Sequence, residues 1–506
     1  MGSSVHTGVL IIGTGFSGLG MAIQLRKSGR EDFLLLEKAD DIGGTWRDNT
    51  YPGCACDIQS HMYSFSYEQN PNWTRSFSPQ QEIWDYLLAV TDKHSLRERI
   101  QFGAEVTSAH YDADDRLWRV STTTGAAYTA PVLVAGVGAL HVPRVPEIAG
   151  LADFAGETFH SAQWNHDYDL RGKRVAVIGT GASAIQFIPK IAPDVQRLSV
   201  FQRTPPWIMP KPDHAMPGWA KWLFRGVPLA QRAYRDAIYW LLESRGVGFN
   251  GHPAVMHAAE RLAKLLLRRQ VPDPRLRAKL TPNYTMGCKR VLLSNDYYPT
   301  FNRDNVRLIT DEITRVSADA VITADGVEHE VDAIIFGTGF HVVDAFDHLD
   351  VIGRDGDNLA KRFAANGVQT YLGINVTGFP NLFFLLGPNT GLGHNSVVFM
   401  IEQQAKYVIR CLELLDRTGA VAMDVLPSAQ RRFNDDIQRR LADGVWTKGG
   451  CTSWYLDAQG VNRTIWPGAT WRYWLTTRNV TAADYELLAG ERQGAVAGEL
   501  VASTRA

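Results

Sequence analysis

The sequence predicts an α/β fold with two Rossmann-like units and a helical insertion. Three observations carry this prediction: a strand, glycine turn and helix begin at Val9, the same unit returns at Arg174, and a basic stretch without that pattern follows. Val9 to Ile12 reads as a buried strand, GTGFSG (Gly13 to Gly18) as the turn, and Leu19 to Ser28 as the helix. Phe33 to Leu36 is the next strand and ends in Glu37. The second unit runs through Arg174 to Ile178, GTGASA (Gly179 to Ala184), a helix over Ala184 to Ile191, and a strand over Leu198 to Phe201. Further strands are expected at Val331 to Phe336, before GTGF (Gly337 to Phe340), and at Asn381 to Leu386, before GPNTGLGHNS.

The stretch from 206 to 280 is helical in pattern, opened by prolines, and carries 13 Lys and Arg against 5 Asp and Glu. The expected organisation is therefore discontinuous. Residues 1–150 and 335–480 form the first domain and 151–334 the second, with 206–280 inserted in it and 481–506 a fraying tail.

Composition sets further bounds. A chain of 506 residues is too long for one core. A net charge of −1 gives the whole molecule no electrostatic case for nucleic acid. Five scattered cysteines argue against a disulfide framework and fit a reducing cytoplasm. Cys54 and Cys56 have neither redox nor zinc spacing, and no metal is expected. The early apolar run feeds a glycine turn, so it reads as a strand and not a leader. No stretch approaches the roughly 18 apolar residues of a membrane span.

A pyrophosphate needs backbone amides aimed at it and no side chain in the way. Gly13, Gly15 and Gly18 supply this at a helix start, with Ser17 among them, and Glu37 is placed for the ribose hydroxyls. The second loop offers Gly179, Thr180, Gly181, Ala182, Ser183 and Ala184. No acid ends its second strand; Arg203 and Thr204 stand there, which suits a 2′-phosphate and favours NADPH over NADH. Thr45, Trp46, Tyr63 and Val106 are counted with the cofactor-binding residues.

Two strings lie beside these loops. In GGTWRDNTYPGCACD (Gly43 to Asp57), the glycines allow close approach to a flat ring, Trp46 offers a stacking face, and Asp57 follows a tight turn. In FAGETFHSAQWN, the marked residues are Phe154, Gly156, His160 and Trp164, and His160 is expected to couple domains, not to carry protons. With two dinucleotide sites, these strings point to a flavoenzyme that is reduced by a nicotinamide and then handles oxygen.

The combination resembles the Baeyer–Villiger monooxygenases, within the class B flavoprotein monooxygenases. Their pattern [AG]GxWxxxx[FY]P[GM]xxxD is matched at every marked position by residues 43–57. FxGxxxHxxxW is matched too, with Asn165 in place of the following Pro or Asp. The resemblance implies FAD and NADPH as cofactors, Lys289 on the NADP phosphate, Arg290 beside the flavin, and Trp454 on the NADP ribose. It further implies a peroxyflavin anion held by Arg290, with Asp57 keeping Arg290 in register, and attack on a ketone to give an ester or lactone. GTGF reads as a second flavin-side turn, and Asn389 to Ser396 as a loop near the isoalloxazine. The alternative is a flavin-containing monooxygenase oxidising nitrogen or sulfur. A disulfide reductase lacks its CxxC pair here.

In the basic insertion, Met256, Ala259, Leu262, Ala263 and Leu266 share a helical stripe, with Arg261, Lys264 and Arg268 on other faces. Such a helix can lie on an anionic membrane or cover its own domain, and the second reading is preferred.

Overall fold

The computed structural model describes residues 4–249, 253–342 and 349–489. In chain order, β1 (Val9–Ile12), α1 (Phe16–Lys27) and β2 (Phe33–Leu36) form the first unit, joined later by β3 (Val132–Ala135). The second unit has β4 (Glu157–His160), β5 (Arg174–Ile178), α2 (Ala184–Ile191) and β6 (Arg197–Phe201). Four helices follow: α3 (Gly218–Gly226), α4 (Pro228–Phe249), α5 (Pro253–Gln270) and α6 (Pro274–Leu280). The chain then runs through β7 (Val306–Ile309), β8 (Ala333–Phe336), β9 (Leu382–Phe384) and α7 (Val397–Thr418). Near its end come β10 (Ala420–Val425), α8 (Thr470–Thr477) and β11 (Tyr485–Ala489).

Two parallel sheets organise these elements. The first has the order β9-β3-β1-β2, with Ile100–Gln101 at the edge beyond β2. The second has the order β7-β6-β5-β8-β4. Strands β1, β3 and β8 are buried along their whole length, as parallel strands covered on both faces must be. That burial explains their unbroken Val/Ile/Leu/Ala/Phe runs. A separate sheet has an antiparallel centre of 106–112, 117–122 and 127–130, with Val5–His6 and Asp350–Ile352 paired in parallel at its two edges.

Four expectations need correction. GTGF does not turn on the flavin side: β8 lies in the second sheet, and a Cβ on Gly179 would sit 2.4 Å from the Gly337 carbonyl. Gly13 meets Gly136 after β3 in the same way, at 2.7 Å. GTGF is thus the second sheet's counterpart of the turn after β3. Next, the region from 206 begins extended, not helical. Ile208–Met209 pairs in parallel with Leu292–Leu293, because Pro205, Pro206, Pro210 and Pro212 forbid a helix there. The expected tail contains β11, which pairs antiparallel with β10; residues 490–506 lie outside the described residues. Finally, Cys288 and Cys451 form a disulfide across a separation of 163 residues, while Cys54, Cys56 and Cys411 are free and buried.

The insertion also grips the first unit. Ser76 N donates to His214 O at 2.9 Å and Met216 N to Thr74 O at 2.8 Å. From α4 the buried Arg235 donates to His61 O and, at 3.4 Å, to Ser64 Oγ. In α5, Met256, Ala263 and Leu267 are buried while Leu262 and Leu265 face outward. This helix packs on the protein through the Met256 and Ala263 face, while Leu262, which the sequence set on the same stripe, faces outward and Leu267 takes its place in the core. Among the described residues no helix is long and apolar enough to cross a membrane.

Candidate active site

The first glycine turn is built for backbone, not side chains. A Cβ on Gly18 would fall 1.8 Å from Gly13 O, and Gly13 itself holds φ +95°. Ser17 is buried in the first turn of α1. Gly18→Ala therefore should disrupt the β1–α1 crossing. The expected result is protein purified with less than about a tenth of the wild-type FAD, read from its absorbance.

Glu37 ends β2 as expected, but its carboxylate already has protein donors. Oε2 accepts from Thr14 N at 3.0 Å and Thr14 Oγ1 at 2.6 Å, and Oε1 from Ala39 N and Arg47 Nη1, both at 3.0 Å. Arg47, inside the 43–57 string, was missed in the sequence. Each carboxylate oxygen has two acceptor directions, and these four donors occupy them all, so the expected grip of Glu37 on ribose hydroxyls would require one of them to give way.

The double glycine has a packing reason. A Cβ on Gly43 would meet Trp84 Cδ1 at 2.7 Å, and Gly44 abuts Gly15. Thr45 opens the short helix Thr45–Asp48. Trp46 is not a free stacking face: it is 8% exposed, its indole N–H donates to Tyr63 OH at 3.2 Å, and the rings meet edge-on at 5.4 Å. Val106 lies in the antiparallel sheet, opposite Thr122.

The rest of that string crosses to the second unit. Tyr51 OH donates to Gln186 Oε1 at 2.9 Å, and Ala55 exchanges backbone hydrogen bonds with the Gln186 amide at 3.3 and 2.9 Å. A Cβ on Gly53 would strike Gln186 O at 2.9 Å. Gln186 on α2 thus receives the TYPGCA turn, and nothing in its sequence context marked it.

That docking carries Asp57 to Arg290. Arg290 donates from Nε at 2.9 Å and from Nη2 at 2.7 and 2.9 Å, a two-pronged grip on one carboxylate. Both side chains stay about a third exposed, at 32% and 28%. The Asp57 charge holds the guanidinium well above its usual range, against the opposing effect of burial. Tyr455 is buried beside this pair, and burial pushes its phenol up to about 12. Its neighbour Trp454 is 44% exposed, with the two rings 4.4 Å apart. The sequence pointed to Trp454 and missed Tyr455.

The second glycine turn repeats the first. Gly179 holds φ +108°, Gly181 faces Gly337 O, and Ala184 opens α2 behind Thr180, Ala182 and Ser183. Thr180 Oγ1 donates to Thr204 O at 3.3 Å, tying the turn to the end of β6. Arg203 is exposed there, and Lys289 lies near enough for its charge to act on it. The Lys289 ammonium is lowered from its usual value, first by burial and then by Arg203. Among the described residues neither cation has an ion-pair partner. Lys289 Nζ lies 5.4 Å from the Tyr284 ring centroid.

The disulfide spans this region. Cys288 precedes Lys289 and Arg290, and Cys451 begins the loop with Trp454 and Tyr455. Cys451→Ser should lower stability by about 2–4 kcal/mol, since the unfolded chain loses its crosslink. A thermal melt unchanged on substitution would contradict this.

The FAGETFHSAQWN string is structural. Gly156 leaves room for the Phe154 ring and for Asp332 O, which a Cβ would meet at 2.6 and 2.4 Å. Trp164 packs on Phe159 and Phe187 at 5.1 and 5.3 Å. Asn165 accepts from Asp167 N at 3.0 Å and donates to Glu157 at 2.8 Å, so it turns the chain where the resemblance expects Pro or Asp. His160 is buried, accepts from Ala162 N at 3.1 Å, and faces Phe340.

Burial lowers both His160 and His61 to about 4, so both rings are neutral near pH 7. A histidine depressed on folding contributes stability that is fully present above about 6.5 and lost as pH falls through about 4, on the order of 3 kcal/mol each. Asp424, pushed up to about 6 by burial, acts in the opposite direction. Urea midpoints from pH 7 to pH 4.5 should therefore fall less steeply in His160→Phe than in the wild type. Identical slopes would contradict the assignment.

Comparison with known proteins fixes the family. Residues 10–219 match a family model described as pyridine nucleotide-disulphide oxidoreductase. A Baeyer–Villiger monooxygenase of Pseudomonas aeruginosa is 50% identical over 95% of this chain and 92% of its own length. One of Streptomyces coelicolor is 46% identical over 98% and 95%.

The chain belongs to the Baeyer–Villiger monooxygenases.

It is an FAD-dependent monooxygenase that uses NADPH. Solved structures agree with this membership. The closed form of cyclohexanone monooxygenase superposes with a TM-score of 0.86 at 29% identity, over 96% of this chain and 100% of that one. Oxidised steroid monooxygenase bound to NADP gives 0.86 at 30%, with the same coverage. The fold is thus shared with these structures over nearly the whole chain.

Proposed function

We propose that this enzyme inserts one oxygen atom beside a ketone carbonyl, giving an ester or lactone. The balanced reaction takes ketone, O2, NADPH and a proton to ester, NADP+ and water. The observation that carries the reading is the Arg290–Asp57 pair, with Nε and Nη2 on the carboxylate and, among the described residues, no acceptor on Nη1.

FAD reduced by NADPH supplies the activated oxygen. The backbone of Gly13, Gly15 and Gly18 would hold its pyrophosphate, and the cradles that a Cβ would fill fit such a group. Gly179 to Ala184 would hold the NADPH pyrophosphate, with Arg203 and Lys289 on the 2′-phosphate. Trp454, 44% exposed, would meet the ribose.

Arg290 stays cationic throughout, because Asp57 stabilises its charge. Its Nη1 can donate to negative charge that develops on the ketone oxygen. Asp57 holds the guanidinium plane fixed, so no reorganisation is needed when that charge appears. Tyr455 and Cys56, both buried, lie near the pair, which itself stays about a third exposed. His160, neutral and buried, has no proton role. The reading keeps the enzyme in the cytoplasm, a placement that the Cys288–Cys451 disulfide does not favour.

The test is isotopic. Holoenzyme, NADPH, a ketone and ¹⁸O2 should yield an ester with one heavy oxygen in the ring or chain position. Ester carrying no label, or no ester with any ketone of a broad panel, would defeat the reading.

A further inference from the structure

The described surface carries an unusual group of exposed tryptophans outside the active site. Trp219 and Trp222 on α3 are 70% and 74% exposed, and Trp240 on α4 is 60% exposed. Trp471 and Trp474 on α8 add 37% and 43%. Single exposed apolar residues are ordinary on a soluble surface, but a group of large rings on neighbouring helices points to an interaction site.

The three helices form one support. Helices α3 and α4 pack together along the chain. Helix α4 is pinned to α8 from below: Glu243, itself buried, accepts from Thr470 N at 3.0 Å and Thr470 Oγ1 at 2.7 Å. Tyr239 OH donates to the Thr470 Oγ1 oxygen at 3.0 Å. These bonds use the inner faces, so Trp240 and Trp471 are left on the outer ones.

Charge on the same elements selects the occupant. Arg225, Arg232, Arg472 and Arg478 are exposed on or beside these helices, and the guanidinium of Arg472 lies 5.2 Å from the Trp471 ring centroid. Asp236 is the exposed acid of α3, α4 and α8. The whole chain is near neutral at −1, so this cationic excess is local. A second copy would set cations against cations, since a two-fold interface is self-complementary. Tryptophan with arginine is instead the pairing of a membrane–water interface, where the ring sits at headgroup depth and the cation meets anionic phosphate.

We propose that the outer face of α3, α4 and α8 is a docking surface for an anionic phospholipid bilayer. It engages the headgroup region peripherally. The neighbouring α5, which the sequence singled out, is not the main contact, because Met256 and Ala263 are turned inward. This inference does not rest on the assigned reaction.

The experiment is co-sedimentation of FAD-loaded enzyme with two kinds of vesicle, phosphatidylcholine alone and phosphatidylcholine mixed with phosphatidylglycerol. Binding to the mixed vesicles, weakened by salt, is expected. The Trp219→Ser, Trp222→Ser double variant should weaken it about tenfold or more. Arg232→Ser with Arg472→Ser should weaken it by a similar factor, because each cation near an anionic surface changes partition about fivefold. FAD content and NADPH oxidation in these variants report that folding is unaffected. Failure of the wild-type holoenzyme to sediment with the mixed vesicles overturns the proposal. So does a wild-type dimer, seen by light scattering, that the tryptophan variant converts to a monomer, since that face would then be a subunit interface.

Discussion

Arg290→Ala is expected to keep FAD bound and still bleached by NADPH, while ester formation falls about 10²–10³-fold. The magnitude is that of removing a preorganised donor aimed at developing negative charge. The substitution also leaves Asp57 without its partner, with the carboxylate 28% exposed and so partly hydrated. Arg290→Lys keeps the charge but cannot reproduce the Nε and Nη2 grip, so it should recover only a small part of the rate. Asp57→Asn separates position from charge: the loss should fall mainly on kcat, with KM for NADPH little changed. Stopped-flow bleaching and product analysis on the same preparations would read both halves. Undiminished ester output from Arg290→Ala would show that the pair is only a bridge between the two units.

The second large effect concerns nucleotide choice. Arg203→Ala should raise KM for NADPH about 10–100-fold and leave KM for NADH nearly unchanged, since each charge-assisted bond to a phosphate is worth on the order of 1.5–3 kcal/mol. Lys289→Ala should act in the same direction. Its ammonium is already destabilised by burial and by Arg203, so the phosphate relieves a repulsion as well as gaining a donor. The two losses should not add, because removing either cation lessens the strain on the other. Steady-state kinetics with both nucleotides would settle the point. Equal losses with NADPH and NADH would move the 2′-phosphate away from this strand end.

The parts legible in the sequence were those with a short-range cause. β1 and β5 announced themselves as apolar runs entering glycine turns, and the turns lie where backbone approaches backbone. The Asp57–Arg290 meeting spans 233 residues, and no periodicity or local propensity encodes it. It came from resemblance alone, and its geometric reason, the docking of the TYPGCA turn onto Gln186, appeared only in the fold. GTGF misled because a glycine turn after an apolar strand looks alike in either sheet; only the pairing of β8 with β5 places it. The Cys288–Cys451 bond was invisible for the same reason, since an odd cysteine count is compatible with one long-range bridge. Trp46 was legible as a special residue, but its partner Tyr63 decides that it is an edge-on packed ring.

The most direct test of the account is a choice offered within one molecule. FAD-loaded enzyme should be given NADPH, O2 and a panel of compounds that each carry both a ketone and a thioether, with products identified by mass spectrometry and NMR. The account predicts ester or lactone from at least one member, with that product lost in Arg290→Ala. Sulfoxide across the whole panel, with every ketone untouched, would contradict it and assign the chain to heteroatom oxidation instead.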